Sequence, residues 1–364
     1  MTALQTQVQA TIDGLVASGR ETGLQVAVLR EGQVVVDAVA GVADERSGRT
    51  VEPDTLFFVA SAGKGVAASV AHVLAERGEL DDDLRVADVW PDFGRHGKGR
   101  VTVRDVLTHT AGVPGLWPGI TPADLGDWER VCAFVADQRP WWEPGTRTGY
   151  HALTFGYLLG EVVRRATGRT LADVLRAEVA APLGIEDDLH FGVPERWLAR
   201  VARQGPDGAA PPRPEPGSPP DRAVPPGVPP TAEFANRADV LRADVPSQAT
   251  ATARALARMY AALLGHVDGV RLVAPERLRR MAATAFSGVD QVMGMPTSWG
   301  LGYSQVRLGA PSRQGSTFGM VGSNGCAAYA DIDSGVAVAV LRNRVVGDFA
   351  AVEAVDAVVA ARHG

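Results

Sequence analysis

An α+β fold is what this chain predicts: an antiparallel sheet assembled from both ends of the sequence, flanked by terminal helices, with a mostly helical region inserted between. Three observations carry that expectation. β-rich runs occur near the start, within Leu24–Val39, and again near the end, within Trp299–Leu341. Helical periodicity dominates the stretch between them. The terminal runs come at hairpin spacing, which antiparallel pairing allows and parallel pairing does not. The division expected from this puts residues 1–80 and 250–364 in an α/β region around the central sheet. Residues 81–249 form the helical region, with a proline-rich loop at 205–230.

The N-terminal stretch MTALQTQVQATIDGLVASG sets Leu4, Val8, Ile12 and Val16 on one side of a helix. It has no basic start followed by an apolar run, so no signal peptide is read there. Leu24–Leu29 and Val34–Val39 predict two strands joined at Glu31-Gly32. A polar loop runs on from Gly41 to Asp54. Phe57-Phe58-Val59-Ala60 then leads into a helix over Ser61–Arg77, closed by Gly78. Val66, Val70, Val73 and Leu74 give this helix an apolar face. Its alanines and Gly65 permit close packing, so it is expected to be buried and central.

Leu84–Trp90 and Val101–Leu107 read as short elements. LTHTAGV (Leu107–Val113), followed by Pro114-Gly115, reads as a helix end and a tight loop. Helices are expected over Asp127–Gln138, Leu153–Thr167 (with Gly168 after it) and Leu171–Leu183, with a turn at Trp141–Thr146. Eleven of the 24 prolines fall between Pro206 and Pro230, so Gln204–Pro230 is expected to build neither helix nor central strand. An extended loop of polyproline character is the reading, an excursion within a domain. Thr250–Leu264 is then helical. Trp299–Val306, Cys326–Asp331 and Val336–Leu341 read as three strands, and Asp348–Arg362 as a C-terminal helix.

The 364 residues, 46% hydrophobic and 21% charged, suffice for one large core or two moderate ones. A net charge of −6, with only short basic runs at Arg95–Arg100 and Arg277–Arg280, argues against a nucleic-acid partner. Cys132 and Cys326 fit neither a metal spacing nor a disulfide framework, and no H-E-x-x-H or C-x-x-C occurs. No metal and no cofactor are expected. No window holds 18 uninterrupted apolar residues, so no membrane span is expected and the chain reads as a soluble cytoplasmic protein. Oligomeric state is not legible.

The chemistry starts at Ser61-Ala62-Gly63-Lys64. A hydroxyl and an amine three residues apart share one helix face, and a serine nucleophile needs such a neighbour because its hydroxyl is weak at its free pKa. S-x-x-K is also a spacing two common residues reach by chance, and a Ser N-cap followed by a solvated Lys is the competing reading. Ala62–Gly65 is no P-loop: Phe58 stands where the first Gly belongs, and Gly65 where Ser or Thr belongs.

Further stretches follow in a fixed order: LTHTAG at Leu107–Gly112, Pro144-Gly145 leading to Gly149-Tyr150-His151-Ala152, the helix Ala249–Leu264, Trp299–Tyr303, and Phe318–Asp331. Taken with Phe58–Lys64, over about residues 20–345, the chain resembles the penicillin-recognising, β-lactamase-like serine hydrolases: class C β-lactamases, D,D-carboxypeptidases and family VIII-type esterases. The resemblance implies a β-lactamase/transpeptidase-like fold. It implies Ser61 as nucleophile, Lys64 as the motif lysine, and Tyr150 as the tyrosine of Y-x-N. The Asn of that motif is replaced by Ala152. The family's third motif, K-T-G or H-x-G, matches Phe318–Ser323, with Met320 where the cation belongs. A thioether carries no charge, so recognition of a substrate carboxylate is demoted and a neutral acyl substrate favoured. Gly322 keeps the wall narrow. The backbone N–H groups of Ser61 and Ser323 match the oxyanion hole, typically a large term in acyl transfer.

The expected reaction is attack by Ser61 on a carbonyl, with Tyr150 or Lys64 as base, and an acyl-enzyme resolved by water. For Lys64 the base role requires burial or a nearby cation to depress its pKa. His109 reads as structural, and His151 faces either the site or a helix end. Trp117 and Trp299 are candidates for lining an acyl pocket. The substrate expected is a small ester or amide, an uncharged ester above all. The alternatives are a transacylase passing the acyl group to an amine or alcohol, a β-lactamase or D,D-peptidase, and a non-catalytic binding domain on the same fold.

Overall fold

The computed structural model describes residues 2–205, 213–305, 308–309, 315–345 and 347–361. Helix α1 (Ala3–Ala17), capped by the Thr2 hydroxyl, buries Leu4, Val8, Ile12 and Leu15. Strands β1 (Gly23–Arg30) and β2 (Gln33–Asp44) pair as the expected hairpin and run longer than the apolar core of each segment. A two-residue strand, β3 (Arg49–Thr50), lies inside the segment read as loop. β4 (Phe57–Ala60) follows, then α2 (Gly63–Glu76). In the last third come β9 (Thr317–Val321), β10 (Ala327–Asp331) and β11 (Val336–Arg342).

The main sheet is antiparallel in the order β3-β2-β1-β11-β10-β9, so the two ends of the chain meet at the β1–β11 seam. Both strands of the seam are buried on both faces, which is why their sequences read as nearly unbroken apolar runs. Period-two alternation sorts the side chains. Val26, Val28, Val338 and Val340 face α1 and the C-terminal helix Ala350–Ala360, while Ala27, Leu29, Ala337 and Ala339 face the larger core. The helix Ala253–Leu264 covers that second face.

α2 is the hub of the helical side. Every residue from Gly63 to Leu74 is buried, and the helix packs on β9, on β6 (Ala249–Ala251, introduced here with β5, Leu189–His190) and on the helices Thr154–Thr167 and Pro275–Ala282. A small second sheet, β4-β6-β5, carries the chain into the start of α2. Among the described residues no helix is long and apolar enough to cross a membrane.

Four sequence expectations need correction. The strand read over Trp299–Val306 is only the end of β8 (Pro296–Trp299), which pairs with β7 (Phe286–Val289). Beyond Trp299 the chain turns, with Gly300 N–H on the Tyr303 carbonyl at 2.9 Å and Gly302 N–H on the Leu107 carbonyl at 3.1 Å. Val306 lies outside the described residues. The helix read from Thr250 starts at Ala253, after β6, because Thr252 caps it. The helix read over Leu171–Leu183 is α-helical only to Val174 and changes to a π-type turn over Leu175–Ala180.

The proline-rich segment is not wholly extended either. Pro219–Ala223 forms a short helix, which two leading prolines tolerate because the first-turn N–H groups need no partner. Its Arg222 guanidinium lies 4.0 Å from the Trp141 ring centre, and its carbonyl takes the Leu116 N–H at 3.2 Å. Residues 206–212 of this segment, and Arg362 of the expected C-terminal helix, lie outside the described residues.

Candidate active site

Ser61 sits at a sharp junction. β4 pairs with β6, but the register shifts between Phe58 and Ala60, and Ala60 adopts φ +46°. That left-handed conformation costs a non-glycine residue on the order of 1 kcal/mol and turns the chain directly into α2. Gly63 lets the first turn of α2 press against the next strand: a Cβ there would stand 2.3 Å from the Gln248 carbonyl carbon and 2.5 Å from the Ala249 nitrogen. The competing N-cap reading of Ser61 fails, since the helix begins after Ala62 without a side-chain cap.

Lys64 is buried, and its Nζ donates to Ser61 Oγ at 3.0 Å and to the Ser247 carbonyl at 3.1 Å. Its ammonium lies 4.8 Å from the Tyr150 ring centre. Burial alone brings the Lys64 pKa down from 10.5 to about 7. No neighbouring cation contributes, in contrast to the second cause considered from sequence. The Tyr150 hydroxyl is hydrogen-bonded with Ser61, and burial pushes the phenol above its ordinary value. The serine hydroxyl is thus held between an amine whose pKa is lowered by burial and a phenol whose pKa is raised by it.

The Tyr150 loop is held from both sides. Gly149 N–H donates to the His109 carbonyl at 3.1 Å, and His151 N–H donates to His109 Nδ1 at 3.1 Å. The Tyr150 N–H donates to Asp290 Oδ1 at 3.1 Å. His109, at φ +59° and buried, is the structural residue that LTHTAG suggests. His151 does not offer itself to a substrate. Its Nδ1 donates to the Gly149 carbonyl at 2.7 Å and its Nε2 accepts the Val113 N–H at 3.1 Å, so both ring nitrogens are taken by backbone. Its pKa falls to about 3, chiefly through burial, which keeps the ring neutral.

The third wall is the turn after β9. Asn324 Nδ2 donates to the Phe58 carbonyl at 2.7 Å, tying that turn to β4 three residues before Ser61. Gly322 makes the approach possible, because a Cβ on it would stand 2.4 Å from the Val59 carbonyl oxygen. Among the described residues the backbone N–H groups of Ser61 and Ser323 donate to no protein acceptor. Met320 is buried with its Cβ and Cγ each 3.4 Å from where a Cβ on Gly65 would be, so it packs under the site against α2 rather than lining an open cleft. Trp299 backs Tyr150: the two rings are 6.1 Å apart and within 6° of parallel. Trp117 is placed elsewhere, between Phe134 at 5.2 Å and the Arg130 guanidinium at 4.9 Å.

The structure thus gathers Ser61, Lys64, Tyr150, Trp299 and the Gly322–Ser323 turn, with Met320 beneath them, and leaves out His151 and Trp117. Sequence reasoning missed Ser247, Asp290 and Asn324. The Ser247 contribution is a backbone carbonyl, invisible in residue type. Asp290 offered one faint signal, as the sole charged residue between Phe286 and Trp299. A concavity of about 180 Å³ among Leu125, Trp128, Gly160, Arg164 and Asp244 shares no lining residue with this cluster.

Comparison with known proteins places the chain in a family and a fold. A family model described as Beta-lactamase matches residues 8–362. The chain is 34% identical over 356 residues to "Esterase/beta-lactamase LipL" of Mycobacterium tuberculosis, covering 88% of this chain and 77% of that one. A penicillin-binding protein homologue from Caulobacter crescentus superposes with a TM-score of 0.88 at 35% identity, over 99% of this chain and 98% of the other. A family VIII carboxylesterase does so with a TM-score of 0.88 at 32% identity, again over 99% and 98%. The fold is the β-lactamase/transpeptidase type, and the chain belongs to the Beta-lactamase family of serine hydrolases.

Proposed function

We propose that this protein is an esterase that works through an acyl-enzyme on Ser61 and takes an uncharged ester. The observation that supports this reading is the buried Lys64 amine, brought to about pH 7 and 3.0 Å from Ser61 Oγ. In the free enzyme the neutral amine accepts the Ser61 proton as Oγ attacks the ester carbonyl. The N–H groups of Ser61 and Ser323 receive the oxyanion. As the tetrahedral species collapses, the C–O bond to the alcohol breaks and the proton held by Lys64 passes to the departing oxygen, with the Tyr150 phenol positioned to relay it. Water then attacks the acyl carbonyl, gives its proton to Lys64, and Ser61 leaves with that proton.

Substrate charge follows from Met320 and Ala152. Neither a cation nor an amide is available where carboxylate- or amide-bearing substrates of the fold would be held, so a neutral ester is preferred to a β-lactam or a peptide. A transacylase differs only in the second half, where an alcohol or amine replaces water.

The test is a substrate panel. p-Nitrophenyl butyrate, a chromogenic cephalosporin and a D-alanyl-D-alanine peptide are compared by kcat/KM, each with and without added alcohol or amine. The reading predicts ester turnover well above the other two. Cephalosporin or peptide turnover equal to ester turnover contradicts it, and transfer products outpacing hydrolysis replace it with the transacylase reading.

A further inference from the structure

We infer that the β7–β8 hairpin is a binding surface for the apolar chain of the ester, so that the enzyme selects acyl groups of medium length over acetyl. The inference rests on the ester reading above and names the substrate class of that same site.

Four large hydrophobic side chains are strongly exposed among the described residues. Three of them, Val289, Met293 and Met295, at 56% each, belong to this one hairpin. Such clustering at one place marks an interaction site more often than scattered exposure does. The hairpin is also continuous with the catalytic cluster. At its base Phe286 pairs across from Trp299, and Trp299 stacks on Tyr150. At its tip Gln291 N–H donates to the Thr148 carbonyl at 2.8 Å, and Val292 packs against Gly149.

Charge points the same way. Asp290 is the one charged residue of the segment Phe286–Trp299, and it is turned inward at 2% exposure. Its Oδ1 is taken up by the N–H groups of Tyr150 at 3.1 Å, Val292 at 2.8 Å and Met293 at 2.8 Å. What the hairpin presents outward is therefore uncharged. Two of its three exposed side chains are methionines, whose unbranched thioethers adapt to flexible apolar ligands. The surface adjoins the Tyr150 loop, which Asp290, Gln291 and Val292 of the same segment hold. A charged or strongly polar substrate arm would gain nothing from it.

The test is a chain-length profile. kcat/KM is measured for p-nitrophenyl acetate, butyrate and octanoate below their aggregation concentrations, for the wild type and for the double variant Met293→Ser with Met295→Ser. The wild type is expected to favour octanoate over acetate. In the double variant the octanoate-to-acetate ratio should fall about tenfold, mainly through KM, equivalent to about 1.4 kcal/mol or roughly two buried methylenes. The matched pair Met293→Leu with Met295→Leu should keep the ratio within about twofold, which separates lost apolar surface from a misfolded hairpin. A ratio unchanged by the serine pair, or a wild type with no preference for the longer chain, overturns the inference while leaving the esterase reading standing. Absence of any ester turnover by the wild type removes both.

Discussion

Acidification should silence this enzyme by protonating one buried amine. Lys64 has a pKa of about 7 in place of 10.5 because it is buried, with Ser61 Oγ and the Ser247 carbonyl as its hydrogen-bond partners among the described residues. At pH 7 about half of the molecules then carry the free amine, against roughly one in a few thousand for a solvated lysine. kcat/KM for p-nitrophenyl butyrate should titrate with an apparent pKa near 7 and fall about tenfold per pH unit below about pH 6. Lys64→Arg holds a positive charge at every accessible pH, and should lose roughly 10²- to 10⁴-fold in kcat/KM and the ionisation with it. The same burial has a stability consequence of fixed sign. The folded pKa lies below the unfolded one, so the unfolded chain binds the extra proton between about pH 7 and 10.5; stability is lost as pH falls across that window, and the loss is complete once pH has passed below about 7. Lys64→Met should therefore raise the thermal midpoint at pH 6, by about 2 °C or more, while abolishing activity. A rate that stays flat between about pH 5.5 and 8.5, or an acidic limb that survives in Lys64→Met, refutes the assignment of Lys64 as base.

Three more substitutions probe the walls. Asn324→Ala removes the 2.7 Å bond between the turn after β9 and the Phe58 carbonyl; kcat should drop about 10- to 100-fold with KM changed by less than about threefold, and a loss confined to KM would argue against an oxyanion role for that turn. Gly63→Ala forces a methyl to within 2.5 Å of the Gln248–Ala249 backbone, so unfolding in urea should show a loss of about 1–3 kcal/mol, and wild-type stability would contradict the close approach. Met320→Lys adds a second cation beside α2 near Lys64, so the acidic limb of the pH profile should move below 7; an unmoved or raised limb would show that position 320 does not face the Lys64 environment.

Much of the fold was written in local pattern. The LQVAVL and VAVAVL runs gave β1 and β11, and Gly78 and Gly168 marked the ends of two long helices. That both chain ends share one sheet was expected from the sequence, whereas the β1–β11 seam is set by the tertiary pairing. Elements decided by tertiary contact were not legible. β6 is three residues of Ala-Thr-Ala whose strand state comes from its neighbours β4 and β5. The run read as a strand from Trp299 has strand-like composition, but its backbone bonds scatter to Met281, to Leu107 and back on itself, and among the described residues only Ser304 pairs with β9, at Gly319.

At the site, Ser61, Lys64 and Tyr150 could be picked out because each contributes a side chain at a recognisable spacing. Asp290 and Asn324 act on backbone groups 140 and 266 residues away in sequence, a separation no local motif encodes. For His151 adjacency to Tyr150 left two directions open, the site or a helix end, and its ring turns instead to the Gly149 and Val113 backbone.

The most direct test of the central claim is the mass of the protein caught during turnover. Rapid acid quench of the enzyme with p-nitrophenyl butyrate, followed by intact-mass and peptide analysis, should show one added butyryl group on the peptide carrying Ser61. Tyr150→Phe should alter the rate at which that adduct forms, and Ser61→Ala should show neither adduct nor turnover. Ester turnover that persists in Ser61→Ala, or an acyl group found on a residue other than Ser61, would contradict the account.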